Sequence, residues 1–294
     1  MKNCSETGIG IKRGPGIKQR ESILGKVTFG CLIVMTCLVL FPIWWMFRSS
    51  LMNNAELYAF PPSMIPQNWR FSNYVTAYKY FPFWKYFGNT MLIIIPSVIG
   101  GTVTATFGGY AFARLKFPLK KILFTLCVGS MLLPTMVTLI PLYIMWSRGL
   151  NLSDSYWPLI LPYFCGGGAF NIFLVRQFIK TIPRELDEAA KIDGCGPLRI
   201  LFDIIMPSIK SAMIVVALLL FIAMWNDLLQ QMIYINSMDK FTIALGLSLF
   251  KGSLKSDWSM IMCATCMAFV PGIFFYLIGQ KYFVEGIVMT GMKN

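Results

Sequence analysis

Five long uncharged stretches constrain this chain more than any other feature of its sequence. They run from Val27 to Phe47, Tyr86 to Ala113, Ile122 to Ser147, Ser155 to Val175 and Trp258 to Gln280. Each is long enough for the roughly 20 residues that a helix needs to cross the hydrocarbon core of a bilayer. Because backbone polar groups inside a bilayer must be satisfied within the spanning segment, these stretches predict transmembrane helices.

A sixth apolar stretch, from Ser211 to Asn226, is short at 16 uncharged residues. Lys210 can extend its side chain to the membrane surface at one end, and the uncharged sequence resumes after Asp227, so we predict a span here too. The composition agrees, with 56% hydrophobic and only 13% charged residues. The sequence therefore predicts an all-α integral membrane protein with six transmembrane helices.

The predicted organisation is one membrane domain over residues 23–294 after a flexible basic tail over residues 1–22. We expect the spans at about 24–47, 87–113, 122–146, 155–177, 210–233 and 258–280. If the N-terminus is inside, eighteen Lys and Arg residues fall in inner segments and eight in outer segments. Basic loops stay cytoplasmic, so both termini are predicted to be cytoplasmic, and the net charge of +13 reflects this topology instead of nucleic-acid binding.

Several classes of chemistry lack the residues that they need. The chain has no histidine, and it has no phosphate-binding loop of the Gly-x-x-x-x-Gly-Lys-Ser/Thr type. Cys263 and Cys266 lie within an apolar span, where thiols pack as small hydrophobic groups. We therefore predict no catalytic residue, no metal site and no cofactor bound by this chain. If ATP drives its activity, a partner must hydrolyse it.

The segment from Arg176 to Lys210 differs from the spans around it, because it carries six basic and five acidic residues. That mixture is typical of a folded surface. A first helix is predicted from near Thr181 to a stop at Gly194. A second helix is predicted to begin at Gly196-Pro197 and to end at Pro207.

Residue spacing predicts which side chains share a face in these two helices. In the first, Ile182, Leu186, Ala189 and Asp193 form one stripe, with the pairs Arg184–Glu188 and Asp187–Lys191 on the solvated side. In the second, the apolar stripe is Leu198, Leu201, Phe202 and Ile205, with Arg199 paired to Asp203. The pattern leaves two interpretations open: a rigid projection that docks on a partner protein, or two helices lying on lipid headgroups.

The motifs of this segment resemble those of a known family. Glu188-Ala189-Ala190, Gly194, Ile204 and Pro207 are similar to the coupling-loop motif of ABC importer permeases, with Met206 where the family usually has Leu. The resemblance covers most of the chain. It includes Tyr110 to Leu115, Trp225-Asn226-Asp227 and Gln280 to Gly286, and it indicates the carbohydrate subgroup typified by the smaller maltose-permease subunit.

This resemblance implies the type I transmembrane domain of ABC importers, with a cytoplasmic coupling helix, in a bacterial cell membrane. It implies four kinds of partner: a related permease subunit, two ATPase subunits that bind ATP and magnesium, an extracytoplasmic sugar-binding protein and membrane lipid. The residues expected to couple the permease to the ATPase are Glu188, Ala189, Ala190, Asp193, Gly194, Ile204 and Pro207.

The implied function is ATP-driven import of a sugar or oligosaccharide. Candidates for the substrate path or a gate are Trp225, Asn226, Asp227, Tyr110 and Asn171, although Asp227 fits a structural hydrogen bond equally well. The glycine pairs and triplet of spans two and four are predicted to be helix-packing faces. Alternatives are a permease for a polyol or glycerol phosphate, or an ion-coupled transporter, which the lack of intramembrane carboxylates disfavours.

Overall fold

The computed structural model describes residues 15–253 and 257–291, and all regular structure over these ranges is helical. The α-helices are α1 Pro15–Ser50, α2 Asn54–Leu57, α3 Ser72–Tyr80, α4 Phe83–Arg114, α5 Lys120–Gly129, α6 Thr135–Ile144, α7 Trp157–Ile160, α8 Ala169–Thr181, α9 Glu185–Ile192, α10 Pro197–Ile200, α11 Met206–Ser208, α12 Lys210–Trp225, α13 Leu229–Tyr234, α14 Ile243–Ser253 and α15 Trp258–Gly291. Short 3-10 or π turns follow α5, α6, α7 and α10 and precede α14.

Four helical segments are long and apolar enough to cross a bilayer without a sharp bend. They are Gly25–Ser50, Phe83–Arg114, Trp157–Thr181 and Trp258–Gln280. Two bent helix pairs raise the number to six if each pair is one span. The predicted all-helical, multi-pass architecture is confirmed. Helix α1 already begins at Pro15, within the predicted tail, and residues 1–14 lie outside the described residues.

The third predicted span, residues 122–146, is not one straight helix. The segments Lys120–Leu132 and Thr135–Gly149 meet at an angle of 101°. Pro134, with an extended ψ of 132°, has no N–H to continue the first helix, and it disfavours helical geometry at Leu133. The predicted continuous span is therefore wrong here, because the chain turns by slightly more than a right angle at this proline.

The fifth predicted span, residues 210–233, ends early. Helix α12 stops at Trp225, and α13 begins only at Leu229. Between them the Asn226 side chain donates to the carbonyl oxygen of Ile222 at 2.8 Å, and the Asp227 carboxylate accepts from the backbone N–H of Gln230 at 3.2 Å. Short polar side chains that bond to nearby backbone in this way compete with the helix and end it.

Helices α4 and α8 pack closely along a glycine-rich seam. A Cβ atom on Gly109 would lie 2.7 Å from Cγ1 of Val175 and 3.0 Å from the backbone nitrogen of Arg176. Higher in the seam, the backbone N–H of Gly166 donates to Oγ1 of Thr104 at 3.0 Å. Small residues let two helices approach closely in this way, so the predicted packing role of the glycines in span two is confirmed at Gly109.

We expect Gly109→Ala to destabilise the protein by about 1–3 kcal/mol, because the added methyl group must displace the backbone of α8. Gly108→Ala is the matched control, since its Cβ would meet Ile172 at an ordinary 3.4 Å. The midpoint of thermal unfolding in detergent should fall for the first variant and stay near wild type for the second. Equal midpoints would show that the seam tolerates extra volume.

A carboxylate clamp joins two loops at the end of span Trp157–Thr181 opposite to α9. Asp154 accepts from Oγ of Ser237 at 2.6 Å, from the backbone N–H groups of Asn236 and Ser237 at 2.8 and 3.0 Å, and from Nζ of Lys240 at 2.9 Å. These donors stabilise the charged carboxylate, so they lower the pKa of Asp154 well below its ordinary value of 3.8, with the Ser237 hydroxyl as the main cause.

This depressed pKa predicts a loss of stability in acid. The clamp is fully present above the ordinary carboxyl pKa and weakens as the pH falls toward the lower folded-state value. We expect the thermal midpoint of the wild type to fall more steeply than that of Asp154→Asn between about pH 5 and pH 3. Asp203→Asn, at an exposed carboxylate paired with Arg199 far from the clamp, is the control, and parallel curves for the wild type and Asp154→Asn would contradict the assignment.

Candidate functional site

The charged segment after α8 folds into a compact projection, which we call the knob and define as residues 185–208. Its first helix, α9, starts at Glu185, four residues later than predicted from Thr181. Ile182 is extended, with ψ 131°, because a residue before proline disfavours helical geometry. Glu185, Asp187 and Glu188 occupy the first turn of α9, where carboxylates interact favourably with the helix dipole.

A glycine corner joins the two limbs of the knob. Gly194 has φ +82°, a left-handed conformation that glycine adopts at little cost because it has no Cβ. Its backbone N–H donates to the carbonyl oxygen of Lys191 at 3.0 Å, and that of Cys195 donates to Ala190 at 2.9 Å. These bonds satisfy carbonyl groups at the end of α9, so the predicted stop at Gly194 is confirmed.

A buried ion pair fixes α9 to the end of span two. Nε of Arg114 lies 2.8 Å from Oδ2 of Asp187, and the two side chains are 6% and 9% exposed. Nη2 of Arg114 also donates to the carbonyl oxygen of Ile182 at 2.7 Å. The predicted pairing of Asp187 with Lys191 on the solvated side is therefore wrong. Asp187 faces the helix bundle because Arg114, at the last position of α4, supplies its counter-charge.

Helix α4 also holds the second limb of the knob. The hydroxyl of Tyr110, one turn before Arg114, donates to the carbonyl oxygen of Pro197 at 3.0 Å. Tyr110 is 5% exposed and packs among the buried residues that anchor this limb, including Ile200 and Ile205. Tyr110 therefore lies at the base of the knob and lines neither of the two cavities described below. This position does not fit its predicted role in the substrate path.

A π turn over Leu201–Ile205 changes which residues of the second limb are buried. Of the predicted apolar stripe, Leu201 and Ile205 are buried, whereas Leu198 and Phe202 are largely exposed. Pro207 has no N–H for the carbonyl group of Asp203 and crowds it, and the wider π turn accommodates this. The helix therefore continues through Pro207 to Ser208 and meets α12 at 79°, instead of ending at Pro207 as predicted.

The outer surface of the knob combines apolar and acidic side chains. Leu186, Ile192 and Leu198 are 47%, 87% and 62% exposed. The exposed predicted coupling residues are Glu188, Ala189, Asp193, Gly194 and Pro207; Ile204 is half-buried and Ala190 is buried. The predicted stripe of Leu186, Ala189 and Asp193 is thus one face of α9, and this face is turned outward. On the second limb, the predicted Arg199–Asp203 pair is present at 3.2 Å.

A cavity of about 500 Å³ lies between α6, the span Trp157–Thr181 and the segment after α12. It is lined by Thr135, Met136, Thr138, Leu139, Leu142, Trp146, Pro158, Pro162, Tyr163, Gly167, Gly168, Asp227, Leu229, Gln230 and Tyr234. Among these lining residues, Asp227 alone carries a formal charge. We call this space the central cavity. It provides hydroxyl, amide and carboxylate groups beside aromatic rings, which is the composition of a site for a small polar ligand.

An unwound glycine segment contributes to the wall of the central cavity. Gly166, Gly167 and Gly168 all have positive φ, at 90°, 59° and 102°, so they break the span and do not form a helical face as predicted. The carbonyl oxygen of Gly167 accepts from the Asn171 amide at 2.6 Å. Irregular backbone at membrane depth is tolerated where it lines a cavity. Asn171 itself is buried and supports this wall from behind.

Three of the five predicted path residues line a cavity. Asp227 lines the central cavity, whereas Trp225 and Asn226 line a second cavity of about 510 Å³ beside α14 and α15. Sequence reasoning missed the Arg114–Asp187 pair and the cavity positions of Thr135, Thr138 and Tyr234. Neither the bend of 101° that directs α6 to the cavity nor an ion pair between residues 73 positions apart produces a recognisable pattern in the local sequence.

The sequence of this chain is similar to those of known transport proteins. A family profile described as "Binding-protein-dependent transport system inner membrane component" matches residues 101–287. The chain is 30% identical over 256 residues to the probable ABC transporter permease protein YurM of Bacillus subtilis (strain 168), covering 87% of this chain and 84% of YurM. It is 29% identical over 265 residues to the sn-glycerol-3-phosphate transport system permease protein UgpE of Escherichia coli O1:K1 / APEC, covering 87% and 93%.

Solved structures have the same fold. A chain of a bacterial ABC transporter involved in the import of the acidic polysaccharide alginate superposes with a TM-score of 0.76 at 24% identity, covering 90% of this chain and 98% of that chain. A chain from a bacterial alginate ABC transporter in complex with an alginate pentasaccharide-bound periplasmic protein gives a TM-score of 0.59 at 14% identity, covering 92% and 95%.

Proposed function

This chain belongs to the family of inner membrane components of binding-protein-dependent transport systems, and it is a permease subunit of an ABC importer; on that premise we propose that it carries a neutral sugar or oligosaccharide into the cell. It would form half of the translocation path, beside a second related permease. An extracytoplasmic sugar-binding protein would deliver the substrate. Both termini and the knob would lie in the cytoplasm, as the distribution of Lys and Arg indicates.

The knob is the proposed contact with an ATPase partner, which would bind ATP and magnesium. The observation that carries this proposal is its two-sided construction. Its inner side is fixed by the Arg114–Asp187 pair and by buried Leu201 and Ile205, while its outer side exposes Ile192 and Leu198. A partner that pulls on such an outer surface would move α4 and α8 with it, because the ion pair and the shared buried cluster join the knob to both helices.

The lining of the central cavity favours an uncharged substrate. Hydroxyl and amide groups of Thr138, Tyr163, Tyr234 and Gln230 can bond to sugar hydroxyls, and the rings of Tyr163 and Tyr234 offer apolar faces. A glycerol phosphate or an acidic polysaccharide would instead face the carboxylate of Asp227, and none of the lining residues is Lys or Arg. The charge of this wall therefore supports sugar over the phosphate alternative.

A substrate panel tests this function. The permease, co-purified with its ATPase and second permease subunits and reconstituted in liposomes, is supplied with its binding protein and assayed for substrate-stimulated ATP hydrolysis. We expect stimulation by a neutral oligosaccharide and little by sn-glycerol 3-phosphate, a polyol or an alginate oligosaccharide. Stimulation by glycerol phosphate alone would overturn the sugar assignment, and uptake driven by an ion gradient without ATP would overturn the coupling.

Asp227→Asn should weaken substrate recognition in the same assay. A hydrogen bond to a charged group is worth about 1.5–3 kcal/mol, so we expect the half-saturating substrate concentration to rise by about tenfold or more. Asp239→Asn removes an exposed carboxylate outside the cavity and is the control. An unchanged half-saturating concentration in Asp227→Asn would indicate that this carboxylate is structural, as the alternative interpretation holds.

A further inference from the structure

Positive charges collect beside the knob, where α4, α5 and α8 meet. We call this group the basic rim and define it as Lys116, Lys120, Lys121, Arg176, Lys180 and Arg184. The charges of Arg176, Arg184 and Lys180 all act on the ammonium group of Lys120, so the cations converge from two helices and the following loop. Two shallow depressions run along this rim, one lined by residues 115–117 and 119–122 and the other by Arg114 and residues 180–185.

Little negative charge within the protein balances the basic rim. The nearest buried carboxylate, Asp187, is already paired with Arg114. Lys120 donates to a neutral group, the carbonyl oxygen of Leu115, at 2.7 Å. Arg176 likewise donates to the carbonyl oxygen of Phe112 at 3.2 Å. Glu185 is the one carboxylate that lines either depression, so the rim carries a clear excess of positive charge and can accept an external anion.

An exposed apolar face continues directly from the basic rim. Along α5, Leu119, Ile122, Leu123 and Leu126 are all about half or more exposed. Lys120 and Lys121 stand at the beginning of the same helix. Because α5 begins the third predicted span, this face lies at the depth of the acyl chains, and a soluble anion or an acidic protein surface would contact the cations alone. A ligand with an anionic head and apolar tails satisfies both parts of the surface at once.

We propose that the basic rim and the apolar face of α5 bind an anionic phospholipid. Its phosphate group would contact the ammonium groups of Lys116, Lys120 and Lys121, and its acyl chains would lie along Leu123 and Leu126. The phosphate group would also attract Lys180 at the end of α8, so the lipid links α5 to α8 beside the base of the knob. The site is separate from the central cavity and from the outer surface of the knob.

Thermal unfolding of the complex in detergent, with and without added phosphatidylglycerol, tests the proposal. We expect phosphatidylglycerol to raise the unfolding midpoint of the permease by about 3 °C, and phosphatidylcholine to have little effect. The double variant Lys116→Gln/Lys121→Gln should lose about half or more of that shift. The charge-matched control Lys79→Gln/Lys191→Gln removes two exposed cations outside the rim and should keep the shift.

Three outcomes would overturn the proposal. One is a phosphatidylglycerol shift that the rim variant retains in full, which would place the lipid elsewhere. Another is an equal, rim-dependent shift with soluble glycerol phosphate, which would identify a free anion as the ligand. The third is no shift in the wild type, as expected if the second permease subunit covers α5. If the double variant is unstable, Lys180→Gln alone provides the same comparison. Since the readout is stability and not transport, the result is independent of which substrate is carried.

Discussion

Replacing Arg114 with Leu is expected to release the knob and to reduce ATP-driven uptake strongly while the membrane spans remain inserted. The substitution leaves the Asp187 carboxylate buried without its counter-charge, and breaking a buried pair from one side costs about 3–5 kcal/mol. It also removes the hydrogen bond from the guanidinium to the carbonyl oxygen of Ile182. Hydrogen exchange over residues 185–208 should accelerate strongly, and uptake into liposomes should fall at least ~10-fold, since ~1.4 kcal/mol corresponds to a factor of ten.

Two companion variants separate this effect from a general loss of charge. Arg114→Leu with Asp187→Leu removes both charges, and we expect it to recover most of the lost protection, because two apolar residues tolerate burial. Arg199→Leu breaks the exposed pair with Asp203, and a pair of that kind is worth at most about 0.5 kcal/mol on a helix. The interpretation fails if Arg199→Leu loosens the knob as much as Arg114→Leu does.

The membrane architecture could be predicted from the sequence because its signal is local. A run of uncharged residues such as Tyr86 to Ala113 has to be satisfied within its own helix, whatever surrounds it. The glycine corner was predictable for the same reason, since the left-handed conformation of Gly194 depends on one residue. Both predictions rest on properties of short windows of sequence.

The errors arise where the outcome depends on distant residues. The sequence alone predicts that Asp187 pairs with Lys191 on a solvated helix face. It shows Arg114 only as one of several cations near a predicted cytoplasmic loop. Only the packing of α4 against α8 brings Arg114 under α9, so the ion pair has no local signature. The bend at Pro134 is similar, because a proline in a span can kink, break or redirect a helix depending on its neighbours.

The central cavity likewise has some lining residues that the local sequence predicts and others that only the tertiary structure reveals. Asp227 could be predicted as a path or gate residue because a carboxylate next to a predicted span is costly unless it faces water or protein. Thr135 and Thr138 gave no such signal, since hydroxyl groups are common in apolar helices. They reach the cavity wall because the bend at Pro134 turns α6 toward the segment that follows α12.

Substitutions at Gly194 are expected to uncouple transport in an order set by backbone conformation alone. A Cβ at this position would meet no atom within 4 Å, whereas φ is +82°, so crowding is excluded as the cause. Asn, which adopts left-handed geometry readily, should keep most of the uptake. Ala should cost about 1–2 kcal/mol and Val more. Pro should be the worst, since its φ is fixed near −65° and it lacks the N–H that donates to Lys191.

Gly196 supplies the matched control for this series. It lies in the same connection and a Cβ there would also meet no atom within 4 Å, but its φ is −73°, which any residue adopts. Gly196→Ala should therefore transport substrate as the wild type does. Full ATP-driven uptake by Gly194→Pro would disprove the claim that coupling requires the left-handed conformation at residue 194. Equal losses of uptake in Gly194→Ala and Gly196→Ala would show that the connection requires flexibility and not left-handed geometry. The order Asn, Ala, Val, Pro would instead mean that the ATPase partner acts on a knob whose limbs are held at one fixed angle.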